Sequence, residues 1–150
     1  MHQVFVSIGS NIDSIKNLEV AKDFLNGLFD CTFSGAYETI AEGFEGDDFI
    51  NCVVGFKTNL QPNELRENLK QIENKIGRTE SQKGMSSRVI DLDIILYGDL
   101  VIREDDFDIP SKDIEDYLFV LEPLAEIAGE LHHPVSKRTF LELLEDLKTY

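Results

Sequence analysis

Residues 88–98 carry the most informative pattern of the chain, Arg88-Val89-Ile90-Asp91-Leu92-Asp93-Ile94-Ile95-Leu96-Tyr97-Gly98. Side chains two positions apart on a β-strand lie on the same face of the sheet. A strand over 89–97 therefore places Asp91 and Asp93 together, with Cβ atoms roughly 6.5–7 Å apart. The opposite face of this predicted strand is entirely apolar and consists of Ile90, Leu92, Ile94 and Leu96.

The segments around this strand predict an alternation of strands and helices. Apolar residues recur at helical spacing in two long segments, and alternating or β-branched residues indicate the strands. The predicted strands are 2–7, 31–39, 49–58, 89–97 and 100–103, and the predicted helices are 15–29, 61–76, 120–128 and 139–147. The order β-α-β-β-α-β with a helical tail favours an α+β sandwich, with a mainly antiparallel sheet and helices on one of its faces.

Composition narrows the classes of function. The chain has 150 residues and a formal net charge of −15, from 14 Lys and Arg against 29 Asp and Glu. A single domain over 1–150 suits this length. We expect no nucleic-acid partner and no membrane surface, because both would need a cationic face. Cys31 and Cys52 lie in apolar segments, which predicts buried thiols and a reducing cytoplasm.

The paired acids predict a metal site. Two carboxylates at this spacing repel each other unless they are protonated or bridged by cations. Hard oxygen ligands on a rigid strand suit Mg²⁺, which is commonly held by one or two carboxylates together with substrate phosphates. Asp-x-Asp is a short pattern, and a solvated strand face is the alternative interpretation of Asp91 and Asp93.

The segment before the strand reverses the charge of the chain. Between residues 75 and 88 there are four cations, Lys75, Arg78, Lys83 and Arg88, and one acid, Glu80. Cations that lead into metal-binding carboxylates are what phosphoryl transfer requires, because both neutralise the transferred group. The alternative is an ordinary balance of surface charge.

Other mechanisms lack their residues. The chain contains no phosphate-binding Gly-x-x-x-x-Gly-Lys-Ser/Thr loop and no dinucleotide-binding glycine pattern. No arrangement typical of a Ser-His-Asp or Cys-His nucleophile is present. His132-His133-Pro134 lies in the tail, where a turn between helices is expected rather than a zinc site.

Several further segments match the motifs of one known family. They are Ser7-Ile8-Gly9-Ser10-Asn11, Phe49-Ile50-Asn51, Glu73 followed by Gly77-Arg78, Ile109-Pro110, and 119–128. Together with the intact segment 88–94, they make the chain resemble the hydroxymethyldihydropterin pyrophosphokinases of folate biosynthesis nearly from end to end. The resemblance implies a ferredoxin-like core and transfer of pyrophosphate from ATP to the hydroxymethyl group of a dihydropterin, with release of AMP. It implies no protein partner.

The resemblance also implies roles for individual residues. Asp91 and Asp93 would hold two Mg²⁺ ions against the ATP phosphates. Arg78 and Arg88 would be the catalytic cations, and the loop 78–87 would close over the phosphates. The implied pterin residues are Phe49 and Phe119 as a sandwich, with Asn51 and Thr39 at the ring edge. The implied nucleotide residues are Glu73, Lys83, Ile94, Ser111 and Lys112.

The chain departs from the family pattern at four positions of its cationic and loop residues. Met85 stands where the family usually has Trp, and Glu80 replaces a second loop Arg. After Ile109-Pro110 the family carries a His and, six residues later, an Arg, but this chain has Ser111 and Tyr117. Lys112 supplies one compensating charge. These departures predict weaker ATP binding.

Two other functions remain open at the level of sequence. One is an impaired member of the family that acts as a pterin- or nucleotide-binding module. The other is a different small-molecule reaction on the same scaffold. The intact Arg88–Asp93 segment favours the pyrophosphokinase, and the missing His, Arg and Trp favour these alternatives. Phe49 and Phe119 have core packing as their own alternative.

Overall fold

A computed structural model of the chain describes residues 1–39, 49–77, 90–104 and 106–148. Its strands are β1 (His2–Ser10), β2 (Thr32–Phe33), β3 (Tyr37–Thr39), β4 (Phe49–Thr58), β5 (Asp91–Tyr97), β6 (Ile102–Glu104) and β7 (Phe107–Ile109). Its helices are α1 (Ser14–Leu28), α2 (Pro62–Ile76), α3 (Asp113–Asp116), α4 (Leu118–Ala128) and α5 (Phe140–Lys148). None of the helices in these ranges is long and apolar enough to cross a membrane.

The main sheet has β1 near its centre. β4 and β5 flank β1 in antiparallel register, and the short strands β2 and β3 both pair with the outer side of β4. The helices α1 and α2 connect strands that are separated in the sheet by one other strand. This is the expected ferredoxin-like arrangement, and the predicted fold class is confirmed.

Helix α2 has local reasons to begin and end where it does. Pro62 occupies the first turn of α2, and Glu64 accepts a hydrogen bond from the backbone N–H of Gln61 at 3.0 Å, as part of a capping box. Gly77 ends α2 with a φ of 121°, a conformation that L-residues with a side chain rarely adopt.

In α1, Leu18, Ala21 and Leu25 are buried, but Leu28 is 55% exposed. The predicted apolar stripe of α1 therefore ends one turn early.

The sheet is covered by helices on both faces, not on one as the element order predicted. The first core lies under α1 and α2 and contains Val4, Val6, Val54, Phe56 and Leu69. The second core lies on the other face, where α4 and α5 cover Phe5, Val53 and Ile95. Because β1 is apolar at both odd and even positions, the helical tail is needed to cover its second face.

A β-bulge in β5 corrects the predicted apolar face. Val6 pairs with Ile94 but Phe5 pairs with Leu96, so that β5 contains one extra residue, Ile95, between these pairs. Ile90, Leu92 and Ile94 belong to the first core as expected, whereas Leu96 belongs to the second core with Ile95. The alternation of side chains changes phase at the bulge.

Two strand predictions also differ from the structure. The predicted strand 31–39 is split into β2 and β3 because the Ser34 hydroxyl accepts a hydrogen bond from Val53 N–H at 2.9 Å and donates one to the Gly35 carbonyl. The acidic segment between the predicted strand 100–103 and the predicted helix 120–128, where no further strand was predicted, contains β7, which pairs with β6 as a hairpin. Phe107 and Ile109 are buried, so their alternation with Asp108 holds β7 against the core.

Both thiols are free and shielded to different degrees. Cys52 is buried, and burial raises its pKa to about 12. Cys31 is half-buried, and burial, followed by the nearby Asp30 carboxylate, raises its pKa to about 11. The prediction of a buried thiol is confirmed for Cys52 and holds only in part for Cys31.

His133 lies in the turn between α4 and α5, as the sequence predicts. Its ring is 2% exposed, and Nδ1 accepts hydrogen bonds from the backbone N–H groups of Val135 and Ser136 at 3.1 and 3.2 Å. Nε2 lies 3.4 Å from Oε1 of Glu115 on α3. Within the described ranges, no group of three or more His, Cys, Asp or Glu could hold a metal ion. His133 therefore connects the tail to α3.

Protonation of His133 should lower the folding stability as the pH decreases. Burial lowers the pKa of His133, with Arg103 adding to this effect and Glu115 opposing it. The unfolded chain therefore binds the proton more readily than the folded chain. The contribution of neutral His133 to the free energy of unfolding is complete above about pH 6.5, and it is lost as the pH falls through the pKa of the folded state. His133→Asn keeps an acceptor near Nδ1 and cannot titrate. We expect it to remove part of the loss in urea midpoint between about pH 7 and pH 5.

His132→Asn is the matched control, because His132 is exposed in the same turn. If the urea midpoint depends on pH identically in the wild type and in His133→Asn, His133 is not the group responsible.

Candidate active site

A cleft of about 530 Å³ runs along the outer edge of β5. One wall is α2, and the other is formed by β7, the start of α3 and the residues between them. Six residues predicted from the sequence line this cleft: Glu73, Asp91, Asp93, Ile94, Ser111 and Lys112. The structure therefore brings both predicted metal ligands together with four of the five predicted nucleotide residues.

Glu73 occupies the inner part of the cleft. Although it carries a carboxylate, it is only 8% exposed. Its Oε2 accepts a hydrogen bond of 2.7 Å from the backbone N–H of Leu92 on β5. This bond connects α2 directly to the edge strand and fixes one wall of the cleft relative to the carboxylates of β5.

Asp91 and Asp93 lie where the strand pattern predicts. In the sheet, they pair with Gly9 and Ser7 of β1. Asp91 is half-buried and Asp93 is exposed. Two carboxylates that share one face and one cleft fit a divalent cation with a preference for oxygen ligands, which would take its remaining ligands from water and phosphate.

Ser111 and Lys112 belong to the wall opposite α2. The Ser111 N–H donates to the Ile95 carbonyl at 2.9 Å, and the Ser111 hydroxyl accepts from the Asp113 N–H at 3.2 Å. The Lys112 ammonium lies 3.7 Å from a carboxylate oxygen of Asp108. Burial, followed by the neighbouring Asp116 carboxylate, raises the pKa of Asp113, which also lines the cleft.

Two cations of the cleft, Arg66 and Lys70, were not predicted from the sequence. Arg66 donates from Nη2 to the Asp106 carbonyl at 2.9 Å, and its guanidinium lies 4.7 Å from the centroid of the Phe107 ring. Both residues precede Glu73 at spacings of seven and three, which places all three on one face of a helix. That spacing is the signal that could have identified them.

The sheet brings a predicted pterin residue close to a predicted metal ligand. Gly9 of β1 pairs with Asn51 on β4 and with Asp91 on β5, so these three residues form one rung across three strands. Side chains directly opposite each other in an antiparallel sheet lie on the same face. Adjacent strands are about 4.8 Å apart, so Asn51 and Asp91 are separated by roughly 10 Å, with no side chain between them.

Gly9 is required at this rung by close packing. A Cβ on Gly9 would lie 3.0 Å from Oδ1 of Asn51 and 3.9 Å from Cδ1 of Phe49. Asn51 is only 6% exposed, so its amide is held in place. Gly9 therefore leaves room for the predicted pterin residues of β4.

The remaining pterin residues lie on β3 and α4. Thr39 is the last residue of β3 and pairs with Phe49. Phe119 is half-buried in the first turn of α4, packs against the second core and stacks on the Tyr117 ring at a centroid distance of 4.9 Å. α4 packs on both β3 and β4. That Phe49 and Phe119 face each other across a slot stays a prediction.

Three predicted cations, Arg78, Lys83 and Arg88, lie outside the described residues, as does the loop 78–87. Their predicted roles at the phosphates, and the predicted closure of the loop, stay predictions. Tyr117 stands where the family carries Arg. It is 47% exposed and lies at the junction of α3 and α4, outside the lining of the cleft.

Comparison with known families gives a match over most of the chain. Residues 5–129 match the model of the 7,8-dihydro-6-hydroxymethylpterin-pyrophosphokinase (HPPK) family. The chain belongs to this family. The expected family is confirmed, and with it an ATP-dependent pyrophosphokinase of folate biosynthesis with ATP and hydroxymethyldihydropterin as substrates.

Curated relatives include proteins of similar length and much longer proteins. The 2-amino-4-hydroxy-6-hydroxymethyldihydropteridine pyrophosphokinase of Aquifex aeolicus is 35% identical over 148 residues, which cover 95% of this chain and 90% of the relative. The Folic acid synthesis protein FOL1 of Dictyostelium discoideum is 39% identical over 134 residues. This alignment covers 87% of the chain and 20% of that relative, so this chain spans only a fifth of the longer protein.

Solved structures support the fold. The Plasmodium falciparum HPPK-DHPS wild type matches 99% of this chain with a TM-score of 0.80 at 15% identity. The matched part is 45% of that solved chain, less than half its length. At this identity, the comparison supports the ferredoxin-like arrangement and not the details of the site.

Gly9→Ala should weaken pterin binding selectively. The added methyl would have to displace the Asn51 amide, because Oδ1 lies within 3.0 Å of the new Cβ. We expect a several-fold higher Kd for hydroxymethyldihydropterin, while the Kd of ATP changes by less than about twofold. Isothermal titration measures both constants.

Gly27→Ala is the control, because a Cβ on Gly27, in α1, meets no atom within 4 Å. Unchanged pterin affinity in Gly9→Ala would show that Asn51 does not contact the pterin.

Proposed function

We propose that the cleft at the edge of β5 binds ATP with two Mg²⁺ ions held by Asp91 and Asp93, and that the pterin binds beside it near Asn51. The observation that carries this proposal is the rung formed by Asn51, Gly9 and Asp91. It brings a buried amide and a cleft carboxylate onto one face of the sheet. A nucleotide phosphate and the hydroxymethyl group of a pterin can meet between them.

Charge explains why the cleft needs a metal. Among the described lining residues there are six carboxylates and three cations. A triphosphate that enters such a cleft is repelled unless added positive charge offsets the carboxylates. When bound, Mg²⁺ neutralises charge on the phosphate oxygens and orients them. Asp91 and Asp93 would hold it, since both lie on the rigid strand β5.

The cations of the cleft act on the phosphate oxygens. Arg66 and Lys70 approach from α2, and Lys112 approaches from the opposite wall. We assign Arg78, Arg88 and Lys83 to the same phosphates, as the family resemblance implies. Arg guanidinium suits this role because its planar fork can contact two phosphate oxygens.

The remaining residues position the two substrates. Glu73 and Ile94 border the nucleotide, with Ser111 at the opposite wall. Phe49 and Phe119 stack on the pterin, and Asn51 and Thr39 bind its edge. The substrate hydroxyl then attacks the β-phosphorus of ATP in line and AMP leaves. The enzyme contributes positioning and electrostatic stabilisation, without a covalent intermediate.

The same proposal takes residues 1–150 as a single pyrophosphokinase domain in the cytoplasm. One sheet shared by two helical layers supports a single domain. Two free thiols support a reducing compartment.

The decisive assay mixes the purified protein with hydroxymethyldihydropterin, ATP and Mg²⁺, and detects AMP and the pyrophosphorylated pterin. Formation of both products supports the proposed reaction. Pterin and nucleotide binding without AMP would instead favour the binding-module alternative.

Asp91→Asn and Asp93→Asn should each abolish product formation while the protein remains folded. Either substitution removes a charged ligand from the pair. We also expect Mg²⁺ to bind the wild type tightly only with a non-hydrolysable ATP analogue present, because two carboxylates leave most of an octahedral shell to other ligands. Product assays, calorimetry and circular dichroism measure these effects.

Asp99→Asn is the matched control, since Asp99 is exposed in the turn after β5 and does not line the cleft. Near-native turnover of both cleft variants, or tight Mg²⁺ binding without nucleotide, would refute the proposed metal site.

The double substitution Ser111→His, Tyr117→Arg should strengthen ATP binding. Ser111→His restores a phosphate-directed group in the lining of a cleft with excess negative charge. Tyr117→Arg adds the second cation of the family pattern at the junction of α3 and α4, five residues after Lys112. Each hydrogen bond to phosphate from a charged donor contributes about 1.5–3 kcal/mol. Two such bonds correspond to a factor on the order of 10²- to 10⁴-fold, so we expect kcat/KM for ATP to rise by up to that factor, with a steeper dependence on salt.

Gln71→His, Asn26→Arg adds the same residue types at exposed helix positions and serves as the control. If the cleft double variant binds ATP no better than this control, Lys112, Arg66 or Lys70 already supplies the charge.

A further inference from the structure

The exposed carboxylate of Glu126 connects α4 to the segment that leads into the strand with Thr39. Oε1 of Glu126 accepts a hydrogen bond from the Tyr37 hydroxyl at 2.6 Å. The Gly35 N–H lies 3.2 Å from Oε1 and 3.0 Å from Oε2 of the same side chain. Hydrogen bonds to an ionised acceptor are roughly twice as strong as neutral ones. Glu126 therefore binds the chain at two points, before β3 and at its first residue.

The position of Glu126 on α4 relates it to Phe119. The two residues are seven positions apart, which is nearly two helical turns and about 10.5 Å along the axis. They therefore lie on the same side of α4, and this helix packs on both β3 and β4. A contact at Glu126 and the packing of Phe119 therefore act on the same side of α4.

On the sheet, Glu126 contacts the start of the segment that borders Asn51. Tyr37 pairs with Asn51, and Thr39 pairs with Phe49. β3 has only three residues and follows the break at 34–36 that separates it from β2. Such a short ladder gives few backbone hydrogen bonds, so a side-chain contact at its first residue has a large influence on its position.

We propose that Glu126 is a positioning residue for the pterin, which acts through Tyr37 and Gly35 to keep β3 and α4 at the separation required for pterin binding. The inference rests on the proposed function, because Phe119, Asn51 and Thr39 are its pterin residues. Glu126 does not contact the pterin. Its loss should let α4 and β3 shift relative to each other, while the ATP cleft at the opposite edge of the sheet is unaffected.

The test compares Tyr37→Phe, Glu126→Gln and Glu126→Ala with Glu130→Gln. Tyr37→Phe removes the hydroxyl donor, and Glu126→Gln keeps an acceptor without the charge. Glu130 is exposed just beyond the end of α4, so its substitution to Gln removes the same charge and serves as the control. Calorimetry gives the Kd of hydroxymethyldihydropterin in the presence of Mg²⁺ and a non-hydrolysable ATP analogue, and separately the Kd of the analogue.

We expect the pterin Kd to rise about tenfold in Glu126→Ala and by a smaller factor in Tyr37→Phe. The Kd of the ATP analogue should stay within about twofold of the wild type. The double variant Tyr37→Phe, Glu126→Ala should match Glu126→Ala alone, because residues that act through one contact are not additive. In turnover, KM for the pterin should rise more than kcat falls.

A lower melting temperature with unchanged pterin Kd would overturn the inference and make Glu126 a purely structural contact. Additive effects of the two substitutions would also overturn it. If Glu126→Ala does not fold, unchanged pterin affinity in both Glu126→Gln and Tyr37→Phe overturns it. Absence of pterin binding by the wild type would instead refute the proposed function, a result that is distinct from a failure of the variants alone.

Discussion

The antiparallel register of β1 with its two neighbours is the constraint on which the site depends. Gly9 lies opposite both Asn51 and Asp91, so one residue without a side chain separates the proposed pterin and metal positions. Backbone hydrogen bonds hold this rung on both sides. Because a shift of one residue would turn every side chain of a strand to the other face, the apolar residues of β1 also enforce the register.

The two faces of the sheet differ in which side chains they carry. The face under α1 and α2 is apolar along its length, and Ile90, Leu92 and Ile94 anchor β5 there. The other face is divided along the strands. One part is a core beneath α4 and α5, and the other part carries Asn51, Asp91 and Asp93. The polar side chains of the proposed site thus lie on the same strands as the residues of the second core, and the packing of that core holds these strands in place.

Carboxylates have two opposite effects at the proposed site. Some hold its secondary-structure elements together, and others repel ATP. Glu73 is nearly buried and joins α2 to β5 through the Leu92 N–H, and Glu126 joins α4 to the segment before β3. These acids position secondary-structure elements. The acids of the cleft instead create a negative potential that disfavours ATP, so metal ions and the cations Arg66, Lys70 and Lys112 have to offset it.

Local patterns were sufficient to predict much of this protein. The spacing of Asp91 and Asp93, the apolar stripe of α2 and the extent of β4 follow from side-chain periodicity within single elements, and the family motifs lie in the same segments. The family, the ferredoxin-like order and six lining residues of the cleft could therefore be inferred before any tertiary information.

Other features depend on contacts between residues far apart in the chain, and only the tertiary structure decided them. The bulge at Ile95 arises from pairing with β1, so the sequence of β5 alone predicted the wrong face for Leu96. Arg66 lines the cleft because its guanidinium meets Asp106 and Phe107 at the start of β7, and Glu126 meets Tyr37 because α4 closes the second face of the sheet. Periodicity reports which side of an element is apolar, but it does not report which element covers that side. The sequence by itself therefore determined the long elements and the chemistry of their residues, while packing between distant segments determined which groups meet.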